Sequence, residues 1–205
     1  MRILILGATG RVGSVITSLA LNDGHEVTAL VREAGKIQSH DRLNILQGDA
    51  CDESDVGRAA EGADVVFSAL NTDGTTTLSD SMPIIINVMR EAGIRRIVTI
   101  GTAGILQSRT EPELLRYQSG ESKRRSTRAA EEHRRVYELL KASDLDWTIV
   151  CPTYLPDGER LGRFRSERDY LPEGGTEISV PDTAEFAYGQ IGDRRYIGAR
   201  VGLAY

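Results

Sequence analysis

Met1-Arg2-Ile3-Leu4-Ile5-Leu6-Gly7-Ala8-Thr9-Gly10-Arg11-Val12-Gly13 opens the chain. An apolar run of β character enters a tight glycine turn, and a helical pattern starts at its far side. Each glycine has a separate physical task. Gly7 lets the chain turn sharply off the strand, Gly10 lets the backbone approach a pyrophosphate with no Cβ between them, and Gly13 lets the new helix pack close to the sheet. The first turn of that helix offers unpaired N–H groups and the positive end of its dipole, a natural seat for phosphate. Strand, glycine turn and helix start in that order form the opening of a dinucleotide-binding unit, in which Gly7, Thr9, Gly10, Arg11, Val12 and Gly13 surround the diphosphate.

The remaining composition narrows the class. The chain has 205 residues, a net charge of −5 and a pI near 5.3, which suit one α/β domain and give no reason to expect nucleic acid or an anionic membrane as partner. The first apolar stretch is too short for a leader, and no stretch reaches the roughly 20 residues of a membrane span. Cys51 and Cys151 lack metal-ligand spacing and are expected to be reduced thiols of a cytoplasmic protein. With only His25, His40 and His133 present, no metal site is expected.

Strand signals fall over residues 2–6, 26–31, 43–46, 63–69, 96–100 and 147–151, and helix signals over 11–21, 52–62, 83–92 and 122–141. A polar, Thr-rich loop is expected over 71–81, and a mobile cover on the substrate side over 155–176. Helices between successive strands force parallel pairing through right-handed crossovers, giving a doubly wound Rossmann-type sheet in a single domain. Ligands of such sheets lie beyond the carboxyl ends of the strands. Topology therefore selects Arg32, Asp49, Ala50, Ala69, Leu70, Asn71, Gly101 and Pro152 as cofactor contacts, and Thr102 and Tyr154 beside the substrate.

The second strand decides between the two nicotinamide nucleotides. It reads Val27-Thr28-Ala29-Leu30-Val31-Arg32, with arginine where an acid would accept from a ribose 2′-hydroxyl. A guanidinium there pairs bidentately with a 2′-phosphate, which favours NADP, and Arg11 can flank the same phosphate. Asp49 either accepts from the adenine amino group or closes its own turn.

Gly7 to Gly13, Gly24 to Arg32 and Gly48-Asp49 together resemble the atypical short-chain dehydrogenases. Glu131-Glu132-His133, Leu145 to Pro152, and Ile178-Ser179 ahead of Asp182 are similar to the NAD(P)H-binding flavin reductase and biliverdin IXβ reductase group, with NmrA-like proteins as cousins. The resemblance implies hydride transfer from NADPH to a flavin or similar planar acceptor. It places the positions of the usual catalytic tyrosine and lysine near Arg124 and Arg128, and a guanidinium cannot donate a proton at neutral pH. Thr102 stands in the place of the usual serine, where its hydroxyl meets substrate or simply serves a turn. Tyr154 falls at the mouth of the site, either stacking on a ring or packing as a loop residue. Arg125 can steer an anionic substrate. His133 reads as a half-buried helix residue. Tyr137-Glu138-Leu139-Leu140-Lys141 matches Tyr-x-x-x-Lys, but in a helix from 122 Tyr137 lies about 22 Å from the start at about 1.5 Å per residue, at the wrong edge.

Three functions compete on these residues. A reductase of planar acceptors leads. An NADP-sensing regulator of NmrA-like type, which binds cofactor without turnover, is the alternative. A sugar-nucleotide epimerase or dehydratase is disfavoured, because that chemistry needs a larger second lobe and a working acid–base pair. A monomer and a homodimer are equally compatible with the sequence.

Overall fold

A computed structural model of the chain describes residues 1–72, 74–122 and 126–205. Strand β1 (Arg2–Leu6) sends Ile3 and Ile5 into the core on one face of the sheet and Leu4 and Leu6 into the core on the other. A strand buried on both sides needs helices on both sides. They are supplied by α1 (Arg11–Asn22) and α5 (Val180–Gly189) on the Ile3 face, and by α2 (Glu53–Ala60), α3 (Thr77–Glu91) and α4 (Arg128–Ala142) on the other. The remaining strands are β2 (Glu26–Val31), β3 (Leu43–Gln47), β4 (Val65–Ser68), β5 (Arg96–Ile100), β6 (Asp146–Pro152), β7 (Arg165–Arg168) and β8 (Ala199–Ala204).

Among the described residues these strands form one eight-stranded sheet in the order β3-β2-β1-β4-β5-β6-β8-β7. Every neighbouring pair is parallel except β7 with β8. This is a single-domain Rossmann-type α/β fold. The strand order reverses between β1 and β4, so a crevice opens above their carboxyl ends.

Several boundaries differ from the sequence reading. Helix α3 starts at Thr77, inside the stretch expected as loop, and carries Pro83 within it. Proline lacks the N–H that would bond the Ser79 carbonyl one turn earlier. The start of the helix is held instead from α4: buried Glu132 accepts from the Ser79 N–H (3.2 Å) and hydroxyl (2.9 Å) through Oε2. Helix α4 begins at Arg128, with Thr127 as its N-cap, rather than at 122. The segment 155–176, expected as a mobile cover on the substrate side, contains strand β7, which pairs antiparallel with β8.

Two charged groups tie this added edge to the body. Buried Arg200 on β8 donates to the Ile105 carbonyl and to Asp169, and stacks on the Tyr137 ring at 4.3 Å. Fully buried Asp182 in the first turn of α5 accepts from the Leu161 and Gly162 N–H groups (3.0 and 2.9 Å) and from the Tyr205 hydroxyl (2.6 Å).

Candidate functional site

The glycine turn is closed on itself. Gly7 has φ +82°, and its carbonyl accepts from Gly10 N–H at 3.0 Å. A Cβ on Gly7 would lie 2.6 Å from the Ala69 carbonyl oxygen, so the turn also fixes the gap between β1 and β4. Gly10 is the N-cap of α1 and brings no side-chain cap, leaving the first-turn N–H groups open to a ligand. Beside it, above β1, β2 and β4, lies a cavity of about 250 Å³ lined by Gly7, Thr9, Gly10, Arg32, Asp49, Ala50, Ala69, Leu70 and Asn71. An uncapped helix start, a backbone without Cβ and an exposed arginine at the end of β2 suit the diphosphate and adenosine ribose of a nicotinamide nucleotide.

Of the other residues expected at this site, Arg11, Val12, Gly13, Gly101 and Pro152 do not line this cavity, while Gly13 has the close helix packing expected of it. Val12 is buried in the core under α1, and Gly13 packs against the Gly7 carbonyl. Arg11 does not line the cavity beside Arg32; its guanidinium donates to the Leu155 carbonyl and to Asp157, each at 3.0 Å, and so joins the turn to the 155–176 segment. Gly101 packs on Ile149 and Cys151, where a Cβ would stand 2.6 Å from the Ile149 side chain. Pro152 ends β6, buried and paired with Leu203. Asp49 spends one carboxylate oxygen on the Cys51 N–H at 2.9 Å, the geometry of an Asx turn.

A second cavity, of about 480 Å³, lies past the ends of β5 and β6. Thr102 and Tyr154 meet there as expected from topology. Tyr154 is 61% exposed and stands at the opening. Thr102 caps a short 3₁₀ turn, its oxygen facing the Gly104 N–H at 3.5 Å, which leaves its own proton free to donate. Arg116 and Tyr117, on the 3₁₀ turn Arg116–Gln118, also line this cavity. Sequence reasoning missed them because residues 103–121 carry neither helical nor strand periodicity. Arg125 and Arg124 lie outside the described residues.

The Tyr137–Lys141 motif sits away from both cavities. Tyr137 packs edge-on against Trp147 at 5.9 Å, near the amino end of β6, with the Lys141 ammonium 5.8 Å from its ring centre. His133 lines neither cavity; burial pushes its imidazole down to about 4, against the pull of neighbouring Glu132, so it is neutral at pH 7. Cys51 borders the cofactor cavity, with its thiol raised by burial and by the Asp49 and Asp80 charges. Cys151 is pushed by burial up to about 12. Both cysteines are free and protonated at neutral pH. Among the described residues no cluster suited to a metal ion occurs, and no helix is long and apolar enough to cross a membrane.

Comparison with known proteins agrees with this layout. YwnB of Bacillus subtilis is 27% identical over 202 residues, covering 90% of this chain and 89% of that one. A candidate epimerase from Bacteroides thetaiotaomicron is 30% identical with a TM-score of 0.86, covering 100% of this chain and 96% of that one. A candidate NADH-flavin reductase from Streptococcus pneumoniae shares the fold at 23% identity, with a TM-score of 0.82 over 100% and 99% of the two chains. A family model described as NAD(P)H-binding matches residues 7–194, from the first glycine of the turn to beyond α5. With its glycine turn, its crevice between β1 and β4 and that match along most of its length, this chain belongs to the NAD(P)H-binding family.

Proposed function

We propose that the protein is a cytoplasmic NADPH-dependent reductase that passes hydride to a flavin or similar planar acceptor without a tyrosine–lysine pair. The observation that carries this reading is the presence of two cavities on the same edge of the sheet. One holds the glycine turn and Arg32; the other is walled by Thr102, Tyr117 and Tyr154. When bound, NADPH supplies two electrons as hydride, and the acceptor takes up one proton from water. The chain's own residues then have a positioning task. The turn and the start of α1 hold the diphosphate, Arg32 holds the 2′-phosphate, and Thr102 donates to a carbonyl of the nicotinamide amide or acceptor. Tyr154 offers a face for stacking at the mouth. Holding two flat systems in contact supplies most of what such a transfer needs. The Streptococcus relative named for flavin reduction supports this reading. The epimerase name of the Bacteroides relative requires an acid–base pair, and among the described residues Tyr137 and Lys141 stand outside both cavities.

Purified protein is expected to consume NADPH, read as loss of nicotinamide absorbance, when FMN or FAD is supplied. Tight NADP binding with no turnover on any planar acceptor would move the reading to a cofactor-sensing regulator. Arg32→Ala is expected to weaken NADPH about tenfold, about 1.4 kcal/mol, and to leave NADH nearly unchanged. Equal losses for both nucleotides in a calorimetric titration would remove the 2′-phosphate role.

A further inference from the structure

We propose that Arg11 is a positioning residue that couples occupancy of the diphosphate seat to the order of the 155–163 segment beside the second cavity. This rests on the dinucleotide seat at the glycine turn and on no particular acceptor. Arg11 is the first residue of α1, directly after the Gly10 N-cap, so its side chain leaves the same turn whose N–H groups face the diphosphate. No acidic side chain stands in that first turn to hold the guanidinium. It crosses instead to the Leu155 carbonyl and to Asp157, and both bonds, each 3.0 Å, come from Nη1. Among the described residues Nη2 and Nε make no hydrogen bond. The planar fork can therefore hold the segment with one nitrogen and phosphate oxygens with the others.

The segment is fastened on both sides of this contact. The Tyr154 and Pro156 carbonyls accept from the Ile178 and Val180 N–H groups at 2.9 and 3.0 Å. Farther on, Arg160 grips Glu185 through Nε and Nη2, and the Leu161 and Gly162 N–H groups donate to Asp182. Between these anchors Asp157, Gly158 and Glu159 are exposed, Gly158 has φ +49°, and Arg11 ties the stretch to α1.

In the free protein the tie is weak. Arg11 is 57% and Asp157 83% exposed; solvent screens such a pair, and a long side chain must be immobilised to form it. A diphosphate removes the second cost. Once it fixes the guanidinium, ordering Asp157 on the same fork loses less entropy, so the two contacts reinforce each other. The effect is reciprocal: what the diphosphate adds to the order of the segment, the segment adds to diphosphate affinity. Because the segment leads from Tyr154 at the mouth of the second cavity, cofactor arrival sets the wall that the acceptor meets.

Slow tryptic cleavage after Arg160 and Arg163, followed by mass spectrometry, reads the order of the segment. Saturating ADP, which carries the diphosphate without the nicotinamide, is expected to slow that cleavage about fivefold in the wild type. Adenosine 2′-monophosphate, which lacks the diphosphate, is expected to leave it unchanged. In Arg11→Ala the ADP effect is expected to vanish at equal occupancy, set by calorimetry. Asp157→Ala, which leaves Arg11 to the ligand, is expected to lose most of the effect with ADP still bound. A purely structural contact would speed cleavage of both variants and keep the full ADP effect. That result, faster wild-type cleavage with ADP, or protection by NADP and not by ADP, would overturn the proposal. Absence of binding heat for both ADP and NADP would remove the seat at the turn, and the proposal with it.

Discussion

Gly13→Ala is expected to cost about 3 kcal/mol of stability and to lower nicotinamide nucleotide affinity more than tenfold, while Gly10→Ala leaves the fold nearly intact and loses mainly the affinity. The difference lies in what each new methyl group meets. On Gly13 it would stand 2.1 Å from the Gly7 carbonyl oxygen, 2.9 Å from the Gly7 carbonyl carbon and 3.2 Å from Ala8 Cα, all backbone. None of these can swing aside. Gly7 is at φ +82° with its carbonyl already bonded to Gly10, and Ala8 is buried. Either α1 lifts from the sheet, exposing Val12, Ile16 and Ala20, or the turn opens. On Gly10 the methyl would lie 3.2 Å from the Gly7 oxygen and 3.8 Å from the Ala69 oxygen, with no closer neighbour. That is tight but tolerable, and it fills the approach to the first turn of α1. Urea melts paired with calorimetric titration of NADP and NAD check both variants. A stable Gly13→Ala protein with wild-type affinity would remove the close-packing argument.

The sequence made this region legible because local chemistry and tertiary fold agree there. The unbroken apolar run of Ile3 to Leu6, the glycine spacing and the end of β2 at Arg32 each follow from short-range rules. The carboxyl half was harder to read for physical reasons. Strand β7 reads Arg-Ser-Glu-Arg, with no apolar face, because it is an exposed edge strand paired on one side only. Strand β8 reads Ala-Arg-Val-Gly-Leu-Ala and is buried along its whole length, so no alternation shows. Its arginine is tolerated because Asp169, the Ile105 carbonyl and the Tyr137 ring surround it. Helix α5 did carry a signal: Ser179 as N-cap, proline in the first turn and Asp182 at the third helical position. The second cavity was half visible. Thr102 and Tyr154 follow strands and are placed by topology, whereas Arg116 and Tyr117 reach the same edge through a loop closed by the Gln107–Leu115 bridge and the Arg116 N–H bond to Leu106, which leaves no periodic pattern in the sequence.

The Asp182 carboxylate is where this less legible half is fastened, and removing it is expected to have the other large effect. Asp182→Ala would leave the Leu161 and Gly162 N–H groups and the Tyr205 hydroxyl without their acceptor, and would cancel the reciprocal contact with the Ser179 hydroxyl at 3.3 Å. Partly buried donors stripped of a charged acceptor cost about 3 kcal/mol together. The damage is directional. Leu161 and Gly162 belong to the segment that leads from Tyr154, at the mouth of the second cavity, to β7. Trypsin is therefore expected to cut the variant first at Arg160 or Arg163 while the wild type resists. The pH dependence has a definite sign. Burial opposes the charge on Asp182, but the Tyr205 hydroxyl, the two N–H groups and the Ser179 hydroxyl outweigh it, so its folded pKa lies below the ordinary aspartate value. Its stabilisation is thus fully present above the unfolded pKa of about 3.9 and is lost as pH falls through the lower folded value. Wild-type stability measured in urea should drop between pH 5 and strongly acidic solution by more than that of Asp182→Ala, so the gap between the two proteins narrows in acid. Asp182→Asn is no conservative rescue, because its NH2 group would face N–H donors. A gap that stays constant down to the lowest pH, or equal trypsin resistance of both proteins, would show that Asp182 does not hold the segment in place.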